Sequence, residues 1–501
     1  MQPIHSQTPY EELLTNIRIM SKVVTRFAPS PTGFLHIGGV RTALFAWLWA
    51  RKHNGTFILR IEDTDKEREV AGSIEHIKES LQYLGIDWDY GPDTPGPFGS
   101  CIQSERLDTY QAWAKKLIEK GLAYPDPYSK EELEGFRELA KNEKRPFLFR
   151  DHRPETFEDW DGTKPLRLKV PEIKRYTWQD AVRGELSAGE EMLDDFILIK
   201  ADGYPTYNFA HIIDDYEMGV THIMRADEFI SSVPKYLSLY EALEIEPPIF
   251  GTQPPIMAPD GKKKLGKRDG AKDILDYRAD GFLPATMMNF LALIGWNPGT
   301  EQELFTTKEL TDLFEITDIQ SSGGAFNVDK LNWMNKQYLE RLTVDEQFAY
   351  LKSALPETTS NQSQYSEERL LRLVPTVFER IHSQAEIRTA AEAGEYDWVF
   401  AAPVADLALV AWKKDTEQTA WVPRLQTVRA LWENADFSSP ETIKEAIWEY
   451  AETEGRGEVL WPTRVALTGL ERSPDPFTSA YIIGREETLS RLQTICDKMG
   501  A

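Results

Sequence analysis

The chain between residues 23 and 63 alternates short apolar runs with one longer segment of helical periodicity. VVTRFA (23–28) and FILRIED (57–63) are typical of short buried strands. Between them, VRTALFAWLWARKHNG repeats apolar residues at helical spacing and closes on Asn54-Gly55, a typical helix end. This order predicts a βαβ unit of the kind that opens doubly wound sheets, in which ligands bind beyond the carboxyl ends of the strands.

The pattern changes twice further along the chain. SERLDTYQAWAKKLIEKG and LRLKVP mix helical and strand-like periodicity and predict an inserted α+β domain, after which YNFAHIIDDYEMGVTHIMRADEF resumes the α/β rhythm. Segments such as EERLLRLVPTVFERI and ETIKEAIWEYAE predict an all-α C-terminal region. The predicted fold is therefore a Rossmann-like doubly wound parallel α/β sheet with an α+β insertion, followed by an all-α domain. The predicted boundaries are an N-terminal extension at 1–20, the sheet domain at 21–102 and 209–260, the insertion at 103–208, a further domain at 261–342 and the helical domain at 343–501.

Composition limits the class of protein. A chain of 501 residues with 28% charged and 41% hydrophobic residues predicts a soluble protein of about three or four domains. We find no apolar run of the ~18 residues that a membrane helix needs. The first 20 residues resemble no signal or transit peptide. Translation could start at Met1 or at Met20. We therefore expect a cytoplasmic protein. The net charge of −24 means that a polyanion partner would have to bind a local basic strip.

The stretch GKKKLGKRDG at 261–270 comes within one residue of a phosphate-binding P-loop. Gly261, Gly266 and Lys267 fit the P-loop pattern, but Arg268 stands where a Ser or Thr hydroxyl would bind magnesium. Prolines at 254, 255 and 259 also disrupt the strand that a P-loop would follow. A solvated lysine run and another phosphate-binding device remain the alternatives.

A second candidate for phosphate binding is PSPTGFLHIGGVRTA. Gly38 and Gly39 lie at the start of the predicted helix, where backbone N–H groups and the helix dipole favour anions, and His36 directly precedes them. Alone, this pattern is as compatible with an ordinary turn that contains a hydrogen-bonded histidine.

Six motifs in one order change that balance: TRFAPSPTG, HIGG, RIEDTD, DGYPTYNFAHIIDD, THIMRADE and DGKKKLGKRDGA. Together they resemble the bacterial-type glutamyl-tRNA synthetases, which are class I aminoacyl-tRNA synthetases. HIGG is similar to the family's HIGH-type signature, and KLGKR at 264–268 to its KMSKS-type signature. The resemblance runs from about Val23 to near the C-terminus, where GRGEVLWPTRVALTGLERSPDPF is similar to the family's terminal domain.

The resemblance implies activation of glutamate with ATP and Mg²⁺, followed by transfer of the glutamyl group to tRNA(Glu). It makes 103–208 an acceptor-stem-binding domain, 261–342 the KMSKS-type loop and stem-contact domain, and 343–501 the anticodon-binding domain. The implied catalytic residues are His36, Lys264 and Lys267. The implied ATP site contains His36, Gly38, Gly39, Glu228, Lys264 and Lys267. The implied glutamate site contains Arg26, Ala28, Ser30, Glu62, Tyr207, His211 and Arg225.

Charge complementarity supports the implied glutamate site. Arg26 and Arg225 can make two parallel hydrogen bonds to the substrate carboxylates, and Glu62 can bind its ammonium group. Without the motif series, a surface ion pair for Arg26 and a core position for Tyr207 are the simpler interpretations.

The chain departs from the family pattern at several places. Gly266 replaces the usual Ser of KLSKR, and Phe229 replaces a His that often contacts ATP. Many members bind zinc in the insertion through several cysteines, but here GSCIQ keeps only Cys101 and AYPDPYSKEEL has no cysteine. We therefore predict no zinc and no other protein-bound metal.

The family resemblance also concerns the tRNA partner. Arg380 lies near the position of an arginine that reads the anticodon, although a solvated helix charge is an equal alternative. We expect a monomer that binds tRNA(Glu) and no membrane. Four alternatives remain: an enzyme that also charges tRNA(Gln), a glutaminyl-tRNA synthetase, a relative that glutamylates a modified tRNA base, and a non-catalytic tRNA-binding protein.

Overall fold

The computed structural model describes residues 22–266, 272–404, 406–413, 415 and 420–500. Its strands are β1 Val24–Phe27, β2 Thr56–Leu59, β3 Ala123–Pro125, β4 Leu166–Leu168, β5 Tyr176–Asp180, β6 Gly184–Ala188, β7 Ile197–Ile199, β8 His222–Ala226 and β9 Ile249–Gln253. Its helices before residue 345 are α1 Ile37–Lys52, α2 Ser73–Leu84, α3 Leu107–Glu119, α4 Lys130–Asn142, α5 Tyr207–Glu217, α6 Val233–Leu243, α7 Ile274–Ala279, α8 Pro284–Leu293, α9 Thr307–Leu313, α10 Val328–Leu339 and α11 Val344–Ala354.

The remaining helices are α12 Glu357–Ser360, α13 Glu367–Phe378, α14 Gln384–Glu392, α15 Asp397–Phe400, α16 Leu407–Val410, α17 Trp421–Trp432, α18 Pro440–Glu454, α19 Arg456–Thr468, α20 Pro476–Ile483 and α21 Arg485–Gly500. Within the described ranges, no helix combines the length and the apolar character needed to cross a bilayer.

The chain forms two compact units. The first runs to Arg278 and continues over Pro284–Val328, and the second contains Ala279–Leu283 and Asp329–Ala501. Beyond residue 343, the described part of the chain contains helices and no strands, as the sequence predicted. Apolar side chains from several helices, among them Leu373, Trp421 and Val465, form the core of the second unit.

The central sheet of the first unit has six strands in the order β2-β1-β8-β9-β5-β6. Neighbouring strands from β2 to β5 are parallel, and β6 is antiparallel to β5 at one edge. The predicted βαβ unit is confirmed, because β1 and β2 pair in parallel and α1 connects them. Helix α1 is buried on most of its circumference, which explains why its sequence is apolar nearly all round.

The predicted insertion divides between two sheets. Strands β3, β4 and β7 form a small antiparallel sheet of their own. The hairpin of β5 and β6 instead joins the central sheet, where Asp180 pairs with Phe250. The predicted insertion at 103–208 therefore contains two strands, β5 and β6, that belong to the central sheet.

Four charged residues form a closed group beside the small sheet. We call it the insertion charge cluster, and it consists of Asp126, Arg153, Arg167 and Asp195. Arg153 donates to both carboxylate oxygens of Asp195 at 2.6 Å. Arg167 donates to Asp126 at 2.7 Å and to the carbonyl oxygen of Asp195 at 2.8 Å. The hydroxyl of Tyr124 also donates to Asp195, at 2.6 Å.

Candidate active site

The ends of β1 and β2 bring several predicted glutamate-site residues together. Arg26 lies on β1 and is buried. The amide of Glu62 donates to the carbonyl oxygen of Pro29 at 3.0 Å, and this bond holds the chain after β1 against the chain after β2. Ala28 and Ser30 flank that contact. These residues therefore lie at the carboxyl edge of the strands, where doubly wound folds bind ligands.

Six buried charges surround this edge. We call them the pocket charge cluster, which consists of Arg26, Arg60, Glu62, Arg106, Asp214 and Asp215. Arg60 is fully buried and donates to Asp215 at 2.8 Å and to Glu62 at 2.9 Å. Arg26 donates to Asp215 at 2.9 Å. Burial would raise the pKa of Asp215, but the charges of Arg26 and Arg60 outweigh burial and lower that pKa. Asp215 is therefore an anion at neutral pH.

The other half of the cluster is centred on Asp214. It accepts hydrogen bonds from Arg106 at 2.8 Å, from Gln103 at 2.7 Å and from the hydroxyl of Tyr110 at 2.9 Å. Counted as ions, the three arginines and three carboxylates of the pocket charge cluster cancel, and burial raises the pKa of Glu62 against the opposing charges of Arg60 and Arg26. Each of its charges has an oppositely charged partner, as buried charges require.

Arg225 is a buried cation that stands outside this balance. It lies on β8, the strand beside β1, and is 5% exposed. Its three guanidinium nitrogens have no hydrogen-bond partner among the described residues. The guanidinium carbon lies 5.2 Å from the ring centre of Tyr236 and 5.4 Å from that of Phe250. Because an unpaired buried charge costs several kcal/mol, this position is suited to bind an anion.

His211 lies one helical turn after Tyr207 on α5. Its Nδ1 is 2.7 Å from the carbonyl oxygen of Tyr207, so Nδ1 carries the hydrogen and donates it. Nε2 is then a buried acceptor without a partner among the described residues. Burial and the positive charge of Arg225 lower the pKa of His211 to about 3, so the ring is neutral at pH 7. Burial and the charge of Glu62 raise the pKa of Tyr207, whose ring stacks on His211 at 4.6 Å.

Phe229 adds a further aromatic ring next to Tyr207 and Arg225. It follows β8 and has its ring centre 5.6 Å from the guanidinium carbon of Arg225 and 5.7 Å from the ring centre of Tyr207. The residue that replaces the family's His is thus part of the surroundings of Arg225.

The HIGG motif forms the amino-terminal cap of α1. Nδ1 of His36 accepts the amide hydrogens of Gly38 at 3.1 Å and Gly39 at 3.4 Å, so the imidazole carries its hydrogen on Nε2. A Cβ at residue 38 would lie 3.0 Å from the His36 ring, and one at residue 39 would lie 2.8 Å from Leu35. The glycines therefore allow the close approach of the capping side chain and of Leu35. The sequence predicted that the N–H groups of these glycines bind an anionic ligand, whereas in this structure they donate to His36.

The stretch that resembles a P-loop contains a tight turn. Gly261 has φ of +68°, and its amide donates to the carbonyl oxygen of Ala258 at 2.8 Å. Met257 pairs with Lys264 in an antiparallel bridge across this turn. Lys264 extends into solvent, where its Nζ lies 3.0 Å from a carboxylate oxygen of Glu228. The turn brings together two residues of the implied ATP site from separate motifs.

Two predicted residues are not among those at this site in the described part of the chain. Lys267 lies outside the described residues. Arg380 is exposed in the second unit, in the turn after α13, where its amide donates to the carbonyl oxygen of Val377 at 3.0 Å.

Cys101 is buried beside the central sheet. Its side chain is 1% exposed, and burial raises its pKa to about 11, so it is a neutral thiol. Over the described ranges, no three His, Cys, Asp or Glu side chains form a group that could hold a metal ion.

Comparison with known proteins agrees with this architecture. Residues 22–333 match the family model described as tRNA synthetases class I (E and Q), catalytic domain, and residues 334–496 match an anticodon binding domain. The chain is 38% identical to the glutamate–tRNA ligase of Anaeromyxobacter dehalogenans (strain 2CP-C), over 94% of this chain and 98% of the relative. It is 39% identical to that of Clostridium botulinum (strain Okra / Type B1), over 96% and 99% respectively.

Solved structures show the same relationship. A crystal structure of a glutamate tRNA ligase from Elizabethkingia meningosepticum CCUG26117, in complex with its amino acid, superimposes with a TM-score of 0.84 at 32% identity and covers 95% of this chain and 99% of that one. The fold and its two matched domains define a class I tRNA synthetase. Within that class, the chain belongs to the glutamate–tRNA ligase family.

Sequence reasoning missed the residues that neutralise the pocket. It selected Arg26 and Glu62 but not Arg60, which binds one of them directly and the other through Asp215. One signal was available: Asp214 and Asp215 directly follow two isoleucines in an apolar helix, and carboxylates on a buried face need cationic partners.

Proposed function

We propose that this chain activates L-glutamate with ATP to glutamyl-adenylate and transfers the glutamyl group to the 3' end of tRNA(Glu). The observation that carries the proposal is Arg225, a buried guanidinium without a partner beside a cluster whose own charges cancel. A dicarboxylic amino acid carries one more negative than positive charge, and its binding would neutralise the pocket.

Glutamate fits the polarity of the groups around Arg225. The guanidinium offers paired donors to a carboxylate, and the hydroxyl of Tyr207 is a further donor whose raised pKa keeps it protonated. Glu62 supplies a negative charge for the ammonium group. Its bond to Arg60 through Oε1 leaves the lone pairs of the second carboxylate oxygen as acceptors.

ATP would bind at the start of α1 and beside the turn at Gly261. His36 would donate a hydrogen bond from Nε2 to a phosphate, and Lys264 would exchange its contact with Glu228 for one with the phosphates. Such groups align the carboxylate with the α-phosphorus and stabilise charge on the leaving pyrophosphate. Mg²⁺, which lowers the charge repulsion between the phosphates, would be carried mainly by the oxygens of ATP.

Three finer assignments extend the proposal. We assign tRNA(Glu) as the acceptor, with Arg380 as a contact to the anticodon, and the protein as a cytoplasmic monomer. Attachment of glutamine, as in a glutaminyl-tRNA synthetase, is the second candidate activity. The neutral acceptor Nε2 of His211 favours considering it, because an acceptor next to a guanidinium is also compatible with the side-chain amide of glutamine.

The test is a charging assay with two purified tRNAs and two labelled amino acids. We expect attachment of glutamate to tRNA(Glu), with AMP formed in equal amount. Attachment of glutamate to tRNA(Gln) as well would remove the strict anticodon assignment. Attachment of glutamine would contradict the assigned substrate, and the absence of AMP with glutamate and tRNA(Glu) would contradict catalysis altogether.

The role of Lys267 has its own test. If this residue stabilises charge on pyrophosphate, Lys267→Ala should lower the charging rate more than it weakens ATP binding. A variant with weaker ATP binding and an unchanged rate would exclude that role.

A further inference from the structure

Helix α2 contacts the turn that precedes α1 through the hydroxyl of Ser73, which donates to the carbonyl oxygen of Gly33 at 2.6 Å, and through the imidazole of His76. Nδ1 of His76 accepts the amide hydrogen of Leu35 at 3.3 Å. The ring of Phe34 stacks on the same imidazole, with a centroid distance of 4.5 Å and an interplanar angle of 19°. These contacts fix the two residues directly before His36, although His76 lies in none of the six motifs.

The other nitrogen of His76 binds the start of α7. Because Nδ1 is an acceptor, Nε2 carries the hydrogen and donates it to Asp273 at 2.7 Å. Asp273 in turn accepts the amide hydrogen of Leu275 at 2.8 Å, and the amide of Ile274 donates to the carbonyl oxygen of Leu35 at 3.3 Å. The ring therefore adds side-chain bonds to a junction that the backbone also makes, through the bond from Ile274 to Leu35 and the antiparallel bridge between His36 and Asp273.

The surroundings make this bridge stiff. The His76 side chain is 12% exposed and that of Asp273 is 18% exposed, so water competes weakly for either bond. The two nitrogens belong to one planar ring, and a displacement of either partner therefore moves the other.

We propose that His76 is a positioning residue for ATP binding: it holds Leu35, and through Leu35 the capping residue His36, in register with Asp273. The inference rests on the proposed role of His36 toward the phosphates. It concerns ATP alone, because none of the contacts of His76 described above reaches the pocket charge cluster or Arg225.

The test measures KM for ATP and KM for glutamate separately in the tRNA charging assay. We expect His76→Ala to raise KM for ATP about ten-fold, while KM for glutamate changes by less than about two-fold. A general loss of structure would raise both constants or lower only the active fraction.

Two conservative variants separate the two bonds. In His76→Asn, the amide oxygen can take the place of Nδ1 and accept from Leu35, but the bond to Asp273 is lost. In His76→Gln, the amide nitrogen can take the place of Nε2 and donate to Asp273, but the bond to Leu35 is lost. We expect each to raise KM for ATP by less than His76→Ala does. If the alanine variant does not fold, wild-type KM values for ATP in both conservative variants overturn the proposal.

Glu79→Gln is the matched control. Glu79 also lies on α2 and forms an ion pair of 2.7 Å with Arg278 on α7, but this pair joins the two helices without touching the turn. We expect an unchanged KM for ATP. An increase equal to that of His76→Ala would show that only the docking of the two helices matters, and would overturn the specific role of His76. If the wild-type protein itself does not charge tRNA, the proposed function is refuted. This outcome is distinguishable from failure of the His76 proposal, which is judged from the KM for ATP of the variants.

Discussion

The first unit contains two groups of paired, mostly buried charges that differ in one respect. In the insertion charge cluster, two arginines meet two carboxylates, and the hydroxyl of Tyr124 and the amide of Val170 donate to Asp195 as well. The pocket charge cluster is balanced too, but beside it lie Arg225, Nε2 of His211 and the hydroxyl of Tyr240, all buried and without a partner in the described part of the chain.

This difference distinguishes a structural network from a binding site. Removal of one partner from a closed network destabilises the fold, because it leaves another charge buried and unpaired. An open network costs stability in the free protein and is favoured only when a ligand completes it. Loss of the unpaired Arg225 and loss of an arginine of the insertion charge cluster should therefore have opposite effects.

The largest effect is expected at Arg225. Arg225→Met removes the proposed partner of a substrate carboxylate, and we expect kcat/KM for glutamate to fall by about 10²- to 10³-fold. The same variant should unfold no more easily than the wild type, because it removes an unpaired buried charge. Steady-state charging and urea unfolding measure the two quantities. If Arg225→Met had the same KM for glutamate as the wild type, or lost much of its stability, the expected difference between Arg225 and the insertion charge cluster would be contradicted.

Arg167→Met should show the reverse behaviour. Loss of this guanidinium leaves Asp126 without its ionic partner, and we expect hydrogen-exchange protection of the amides in β4 and β7 to fall by about 3 kcal/mol. The Met side chain can still pack near Phe149, over which the guanidinium lies at 3.5 Å. KM for glutamate should not change. Equal protection in variant and wild type would show that the insertion charge cluster does not stabilise its sheet.

His211 predicts a pH dependence of stability. Its pKa is lowered to about 3 in the folded protein, from an ordinary value of 6.5. Between these values the unfolded chain binds a proton at His211 that the folded chain does not. The contribution of His211 to the free energy of unfolding is therefore complete above pH 6.5 and is lost as pH falls toward 3, by up to about 1.4 kcal/mol per pH unit. We expect His211→Gln to flatten the unfolding free energy over this window.

The smallest effects compare two buried tyrosines. The hydroxyl of Tyr124 donates to Asp195, whereas that of Tyr240 has no partner among the described residues. Tyr124→Phe should cost about 1 to 3 kcal/mol of stability, and Tyr240→Phe should cost nothing measurable. Urea unfolding monitored by hydrogen exchange separates these outcomes. An equal loss in both variants would mean that the hydroxyl of Tyr240 is hydrogen-bonded in solution.

The fold could be predicted wherever the pattern was local. The opening βαβ unit followed from apolar runs and a helix end within 45 residues of chain, and the helical second unit from amphipathic periodicity. The hairpin of β5 and β6 could not be assigned, since its place in the central sheet depends on the distant pairing of Asp180 with Phe250. Periodicity reports a strand but not its partner.

The candidate site divides in the same way. Motifs and family resemblance selected Arg26, Glu62, His211 and Arg225, and the structure places them near one sheet edge. The ion pair of Arg26 with Asp215 in the free protein was harder to predict from the sequence, because it joins segments 189 residues apart. The assignments of Lys267, of Arg380 and of the domain boundaries stay predictions.

The cap on α1 has a consequence for nucleotide affinity. A phosphate that binds the amides of Gly38 and Gly39 must displace the imidazole of His36. This competitor lies two and three residues away along the same chain, so its effective concentration is high. The observed dissociation constant is then the intrinsic one divided by the fraction of molecules in which the imidazole has released the amides. If ATP binds these amides, as proposed, the strength of the two intramolecular hydrogen bonds to His36 contributes to how much ATP is needed to occupy the helix terminus.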